Sequence, residues 1–149
     1  MTTPSVDRRP APREDEDSHS FWEGTRRHEL RGQKCAACQE VRFPPMPQCG
    51  HCGSPEWTEV FLSPNGVIYS WIQVNRALGT LNDDDVPCVF ATVELPEGCR
   101  MVARIDDVEG VAIGKSVVAQ FVDWTTWTEV RFALAPASAA FAPPRSDAS

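Results

Sequence analysis

Four of the six cysteines fall into two matched pairs, Cys35-Ala36-Ala37-Cys38 and Cys49-Gly50-His51-Cys52. A C-x2-C turn holds two sulfurs on one side of a tight loop. Two such turns facing each other close a tetrahedral four-thiolate site, which suits zinc. Gly50 and Gly53 flank the second turn, where the backbone bends sharply and brings amides near sulfur. Between the pairs, Glu40-Val41-Arg42-Phe43-Pro44-Pro45 reads as a short strand followed by a stop. Knuckle, strand, return and knuckle make a zinc ribbon. Iron accepts the same four thiolates, so the spacing alone does not separate the two metals. An iron-loaded centre would make the chain an electron carrier.

Other chemistry is sparse. Nucleophilic catalysis needs a base held against Ser or Cys. The histidines are His19 at the edge of a polar segment, His28 at a predicted helix end, and His51 inside a knuckle that Cys49 and Cys52 already complete. No glycine-rich phosphate loop is present. A metal held by four thiolates has no open position and cannot activate water. The remaining cysteines, Cys88 and Cys99, fall in adjacent predicted strands and read as small core residues. The residues point to a structural metal and a module built to bind, with no catalytic residues of its own.

The elements that position this centre follow from the patterning. Ser20-Phe21-Trp22-Glu23 has the S-x-x-E spacing of a capping box, predicting a short helix through Arg26 and Arg27. Phe21 and Trp22 in its first turn either pack onto the body or form a docking surface, where aromatic residues and Arg are enriched. Strands are predicted at 29–34, 57–61, 67–74, 87–95, 99–105, 115–124 and 128–134. The 67–74 strand is apolar on both faces and is expected to be central and buried on both sides. In the loop after it, the Asp83–Asp85 run reads as solvated. Val111 and Ile113, in a later loop, are expected to point inward. The fold class is mainly β: an N-terminal helix plus zinc ribbon at 18–56, then a five-stranded OB-type barrel at 57–135. Residues 1–17 and 136–149 are polar or Ala/Pro/Ser-rich and read as disordered tails.

The formal net charge of −7 disfavours nucleic-acid partners. A nucleic-acid-binding OB module, using Tyr69 and Trp71 as stacking platforms, is the alternative class. No run is long and apolar enough for a membrane span, and no signal-peptide core follows Met1. The expectation is a soluble, cytoplasmic chain, in which clustered thiols mean metal.

Several motifs occur together: Phe21-Trp22-Glu23-Gly24, the two cysteine pairs with Arg42-Phe43-Pro44-Pro45 between them, Gly66-Val67-Ile68-Tyr69-Ser70, Val93-Glu94-Leu95-x2-Gly98, and Ile113-Gly114-x2-Val117. In this combination the chain resembles the acyl-CoA-associated OB-fold proteins with an N-terminal rubredoxin-like zinc ribbon, long labelled a domain of unknown function. The resemblance covers nearly the whole predicted folded part. It implies a non-catalytic partner of a thiolase-superfamily enzyme, either a condensing enzyme or an aldolase, or of an enoyl-CoA hydratase-like subunit. Such a partner would help hold a CoA thioester in lipid or steroid metabolism. It carries Cys35, Cys38, Cys49 and Cys52 over as ligands of a structural zinc. Phe21, Trp22, Arg26 and Arg27 become a docking or CoA-facing element. Apart from the resemblance, loop residue Arg76 is read either as a further contact to CoA phosphates or as a solvent-exposed charge. The Ser63-Pro64-Asn65-Gly66 turn departs from the family, whose members often carry an additional Gly there.

Overall fold

The computed structural model describes residues 9–136. Of the two expected tails, residues 1–8 and 137–149 lie outside the described residues. The elements run α1 (His19–Arg26), β1 (Leu30–Cys35), β2 (Val41–Arg42), β3 (Trp57–Leu62), β4 (Asn65–Val74), a 3-10 turn (Asp83–Asp85), β5 (Cys88–Glu94), β6 (Arg100–Ile105), β7 (Ser116–Asp123) and β8 (Thr128–Leu134). They form a three-stranded sheet, β2-β1-β3, and a closed barrel, β4-β5-β6-β8-β7. Counted from β4, the barrel order is one-two-three-five-four, the OB arrangement, closed by parallel contact of β6 with β8 and antiparallel contact of β4 with β7.

The range 57–135, expected as the barrel, begins with a strand that bonds elsewhere. β3 pairs with β1 along its whole length, from Leu30 opposite Leu62 to Cys35 opposite Trp57. It thus belongs to the ribbon sheet and delivers the chain to β4 through Ser63, whose amide donates to Glu97 Oε1 at 2.8 Å.

Helix α1 starts earlier than the Ser20/Glu23 pattern predicts. Ser18 is the N-cap, and its amide and hydroxyl both bond Asp15 Oδ1, at 2.8 and 2.6 Å. Ser20 is therefore inside the helix, where its hydroxyl donates to Glu59. Glu23 pairs with Arg26 and Arg27 in place of closing a capping box. The helix ends in a Schellman turn: Glu29 N–H bonds Gly24 O and His28 N–H bonds Thr25 O, both at 2.9 Å, with His28 left-handed at φ 58°. His28 then reaches the barrel, bonding Asp123 at 2.9 Å and stacking on Phe121.

One core runs through helix, ribbon sheet and barrel. It joins Phe21, Leu30 and Leu62 to Ile68, Val89, Val93, Met101, Ile105 and Phe132. Cys88 and Cys99 are buried, as expected. The register of β5 against β6 puts them at opposite ends of the hairpin, since Val89 faces Ile105 and Glu94 faces Arg100. Alternation on β6 places Met101, Ala103 and Ile105 inward.

β4 is not buried on both faces. Its first part, Gly66 to Ile68, is buried, but Tyr69, Trp71 and Ile72 are 49%, 38% and 64% exposed. β7 covers β4 only over Asn65–Val67, and a register shift between Ile68 and Ser70 bends the strand away. Beyond that point β4 has β5 alone as a neighbour. Val111 does pack against the core, but Ile113 is exposed. Gly114 N–H bonds Ile68 O at 2.8 Å, which pins the loop by its backbone and leaves the Ile113 side chain outside.

Residues 9–17, expected as tail, lie against the body. Arg9 pairs with Asp85 and sits over the Trp124 ring at 4.8 Å. Asp85 in turn takes Arg104 at 3.0 Å, so the Asp run is not simply a solvated loop. Arg104 also bonds Asp106, which bonds Arg131, which bonds Glu129. These side chains cross the outside of the barrel where β6 meets β8.

Candidate metal centre

The two knuckles are two copies of one backbone turn. In the first, Cys35 N–H bonds Glu40 O at 2.8 Å and Gln39 N–H bonds Cys35 O at 3.0 Å. In the second, Cys49 N–H bonds Ser54 O at 2.9 Å and Gly53 N–H bonds Cys49 O at 2.8 Å. The residue after each pair, Gln39 or Gly53, is left-handed. This turn aims amides at the first sulfur, as His51 N–H does at Cys49 Sγ, 3.4 Å away. β1 and β3 fix the relation between the copies, because Cys35 ends β1 and lies opposite Trp57.

The four sulfurs lie within 4.8 Å of one another. Across the knuckles, Cys35 Sγ is 3.6 Å from Cys52 Sγ, and Cys38 Sγ is 3.7 Å from Cys49 Sγ. Zinc bound at ~2.3 Å by four tetrahedral thiolates separates its sulfurs by about 3.8 Å. The donor set and its spacing fit that ion. Electrostatics also favour a cation here. The Cys38 amide, first among several donors, pulls the Cys35 thiol down to about 6. The amides of Cys52 and His51 lower Cys49. Cys38 takes a lowering amide from Glu40, yet burial and the neighbouring sulfurs push it up to about 12. Amides favour thiolates, while the sulfurs repel one another's charge. A dication among them resolves that conflict and leaves all four deprotonated. The centre is then closed, braces the ribbon and offers substrate no coordination position.

Behind the ribbon lies a polar cluster that the sequence did not reveal. Gln33, 2% exposed, accepts from Arg42 Nε at 2.7 Å and from the Met46 amide at 3.0 Å. The alternation of β1 and the Arg-Phe-Pro-Pro run carry no separate signal for this pairing. It follows from the register that sets Gln33 opposite Arg42.

The other predicted site residues do not share one surface. Phe21 is buried, with its ring 4.9 Å from Trp22 and 5.0 Å from Phe43, so it joins helix to ribbon and shows no face to a partner. Trp22 is half-buried and meets Trp127 edge-on. Arg26 is held by Glu14 and Glu23, and Arg27 by Glu23. Arg76 is exposed and has no ion pair among the described residues. The His28–Asp123 contact ties the end of the helix to the barrel, and the carboxylate sits between the imidazole and the Thr128 hydroxyl, which donates to it at 2.8 Å. Among the described residues, no helix is long and apolar enough to cross a membrane.

Comparison with known proteins agrees with this architecture. Residues 22–58 match the family model described as the ChsH2 rubredoxin-like zinc ribbon domain, and residues 59–122 match that of the ChsH2 C-terminal OB-fold domain. The chain is 36% identical over 118 residues to a probable enoyl-CoA hydratase alpha subunit of Thermomonospora curvata, covering 78% of this chain and 35% of the relative. It is 30% identical over 81 residues to the benzoylsuccinyl-CoA thiolase subunit BbsA of Thauera aromatica, covering 54% of each. The chain thus spans about a third of the first relative and about half of the second. Among solved structures, a chain of the Ltp2-ChsH2(DUF35) aldolase superposes with a TM-score of 0.74 at 31% identity, over 83% of this chain and 98% of that one. The chain belongs to the ChsH2 (DUF35) family, which joins a rubredoxin-like zinc ribbon to an OB fold.

Proposed function

We propose that this chain is a non-catalytic accessory subunit of an acyl-CoA enzyme. Its partner is a thiolase-superfamily condensing or cleaving enzyme, with aldolases included. The observation that carries the reading is the match over 98% of a chain of the Ltp2-ChsH2(DUF35) aldolase. The thiolase-subunit relative points the same way. The site chemistry agrees: four thiolates leave a metal no open position, and the one His–Asp contact described holds helix to barrel.

The contribution is positional. A rigid module that completes the wall of a thioester channel orients substrate without supplying an acid or base. The helix arginines are already neutralised by Glu14 and Glu23. Arg76, exposed and without an ion pair among the described residues, is the residue we assign to contact with CoA phosphates.

Co-expression with a thiolase-superfamily enzyme from the same organism tests this. The expected result is a stable hetero-oligomer whose activity requires both chains. Failure to co-purify, with enzyme activity the same in its absence, overturns the proposal. A second reading, a hydratase-like partner, is favoured by the 36% match to a hydratase alpha subunit, and the same experiment with a hydratase-like neighbour distinguishes the two.

A further inference from the structure

Among the described residues, the buried arginines are Arg31, Arg42, Arg104 and Arg131. Three of them have carboxylate partners: Arg31 pairs with Glu29 and Glu59, Arg104 with Asp85 and Asp106, and Arg131 with Asp106 and Glu129. Arg42 differs. Its Nε donates to Gln33 Oε1, its Nη2 donates to the Met46 carbonyl at 3.3 Å, and its Nη1 is buried without an acceptor. Its partners among the described residues are therefore neutral. A guanidinium taken out of water without a counter-charge is costly, and hydrogen bonds to neutral groups recover only part of that cost.

Its place in the ribbon supplies the missing charge. Arg42 lies opposite Gln33, two residues before Cys35 on β1, and the carbonyl it binds belongs to Met46, three residues before Cys49. Arg42 and Cys49 line one cavity of about 470 Å³, together with Gly50 and His51. The other charged groups on that lining do not serve. Arg100 is paired with Glu94, and Glu40 is exposed and has no ion pair among the described residues. Lys34, next to Cys35, is half-buried, and water screens its charge. Once zinc is bound, the dication and its four thiolates carry a net charge of about −2.

We propose that Arg42 is the counter-charge of the loaded metal centre, stabilising the four-thiolate dianion and so setting how long the metal is held. It donates no hydrogen bond to sulfur among the described residues, so it acts through its field, with Gln33 and the Met46 carbonyl fixing the guanidinium. Such a cation favours whichever state of the centre is more negative.

The test compares the full-length chain with its Arg42→Met and Arg42→Lys variants, all loaded with zinc. Transfer of zinc to a chromogenic chelator is followed at one pH. Arg42→Met is expected to release zinc about tenfold faster. Arg42→Lys keeps the charge but loses the paired bonds to Gln33 and Met46, and is expected to stay within about threefold of the natural rate. The iron-loaded forms give a second readout. Loss of a nearby cation favours the ferric monoanion over the ferrous dianion. Arg42→Met should therefore lower the reduction potential by about 59 mV or more, a tenfold change for one electron, with Arg42→Lys close to the natural value. Release from Arg42→Met at the natural rate overturns the proposal, as does an unshifted potential in that variant. Release from Arg42→Lys as fast as from Arg42→Met also overturns it, because hydrogen bonding and not charge is then what Arg42 supplies. If Arg42→Met holds no metal, loading of Arg42→Lys supports the proposal and failure of both variants overturns it.

Discussion

Gln39 and Gly53 stand at the same position of two copies of one turn, each following the second cysteine of its pair, with φ of 68° and 78°. Only one of the two is a residue that adopts this conformation without cost. Gly53→Ala is expected to destabilise the metal-loaded protein by about 1 kcal/mol. Gln39→Gly relieves the equivalent strain and is expected to be slightly stabilising, by about 0.5 kcal/mol after the entropy of the unfolded chain is counted. Denaturant unfolding of the two variants checks the opposite signs.

The six thiols divide into four and two. Burial holds the Cys99 thiol up at about 11 and raises Cys88 as well, so both resist alkylation in the folded protein. Removing the metal with a chelator is expected to expose Cys35, Cys38, Cys49 and Cys52 to iodoacetamide, as the ribbon loses its folding energy with the ion. Cys38→Ser should lose tight metal binding. Cys88→Ala should keep the metal at a cost of about 1–3 kcal/mol. Metal analysis and mass spectrometry of alkylated protein read both results.

Of the two roles open to Phe21 in the sequence, packing onto the body is the one its burial supports. Its ring lies against Trp22 and Phe43 in the core shared by helix and ribbon. Phe21→Ala is expected to cost about 3–5 kcal/mol in thermal or denaturant unfolding. An unchanged midpoint would return Phe21 to the docking role that was its other reading.

Asp85 gives the acid limb of stability. Burial alone would raise its carboxyl, but the Asn82 amide and the Arg104 and Arg9 guanidiniums outweigh that and hold it at about 2, below the usual 3.8. A depressed carboxylate stabilises the fold above its unfolded pKa, and that stabilisation fades as pH falls through the folded value. At neutral pH, Asp85→Asn should therefore cost on the order of 2 kcal/mol. The gap between the variant and the natural protein should close from about pH 4 down to about pH 2. Urea midpoints across that range decide it.

What the sequence showed best was local. The knuckles were legible because four ligands within one short stretch need only turn geometry to meet. The strands of the hairpin from Cys88 to Ile105 were legible from alternation and the Pro96–Gly98 turn. Pairing partners were less so. Trp57–Leu62 alternates as a strand whether it joins the ribbon or the barrel, and only the register with β1 decides. Val67 to Val74 is apolar on both faces, yet its second half is uncovered because β7 reaches only to Val67. Arg104 and Arg131 sit on β6 and β8, where alternation along one strand says nothing of ionic partners. They join one ion network because Asp85, far from Arg104 in sequence, and Asp106, far from Arg131, are brought against them by the fold.

The strap from Arg9 to Asp17 has a practical consequence for anyone shortening this protein. Trimming by composition would begin the chain at Ser18, where polar sequence gives way to helix. Such a product would lose the Asp15 acceptor that anchors the first helical turn, and would leave Asp85 with a single guanidinium. It would also bare a greasy hollow that the natural polypeptide covers with its own prolines, and it should therefore come out of the cell less soluble than the longer version.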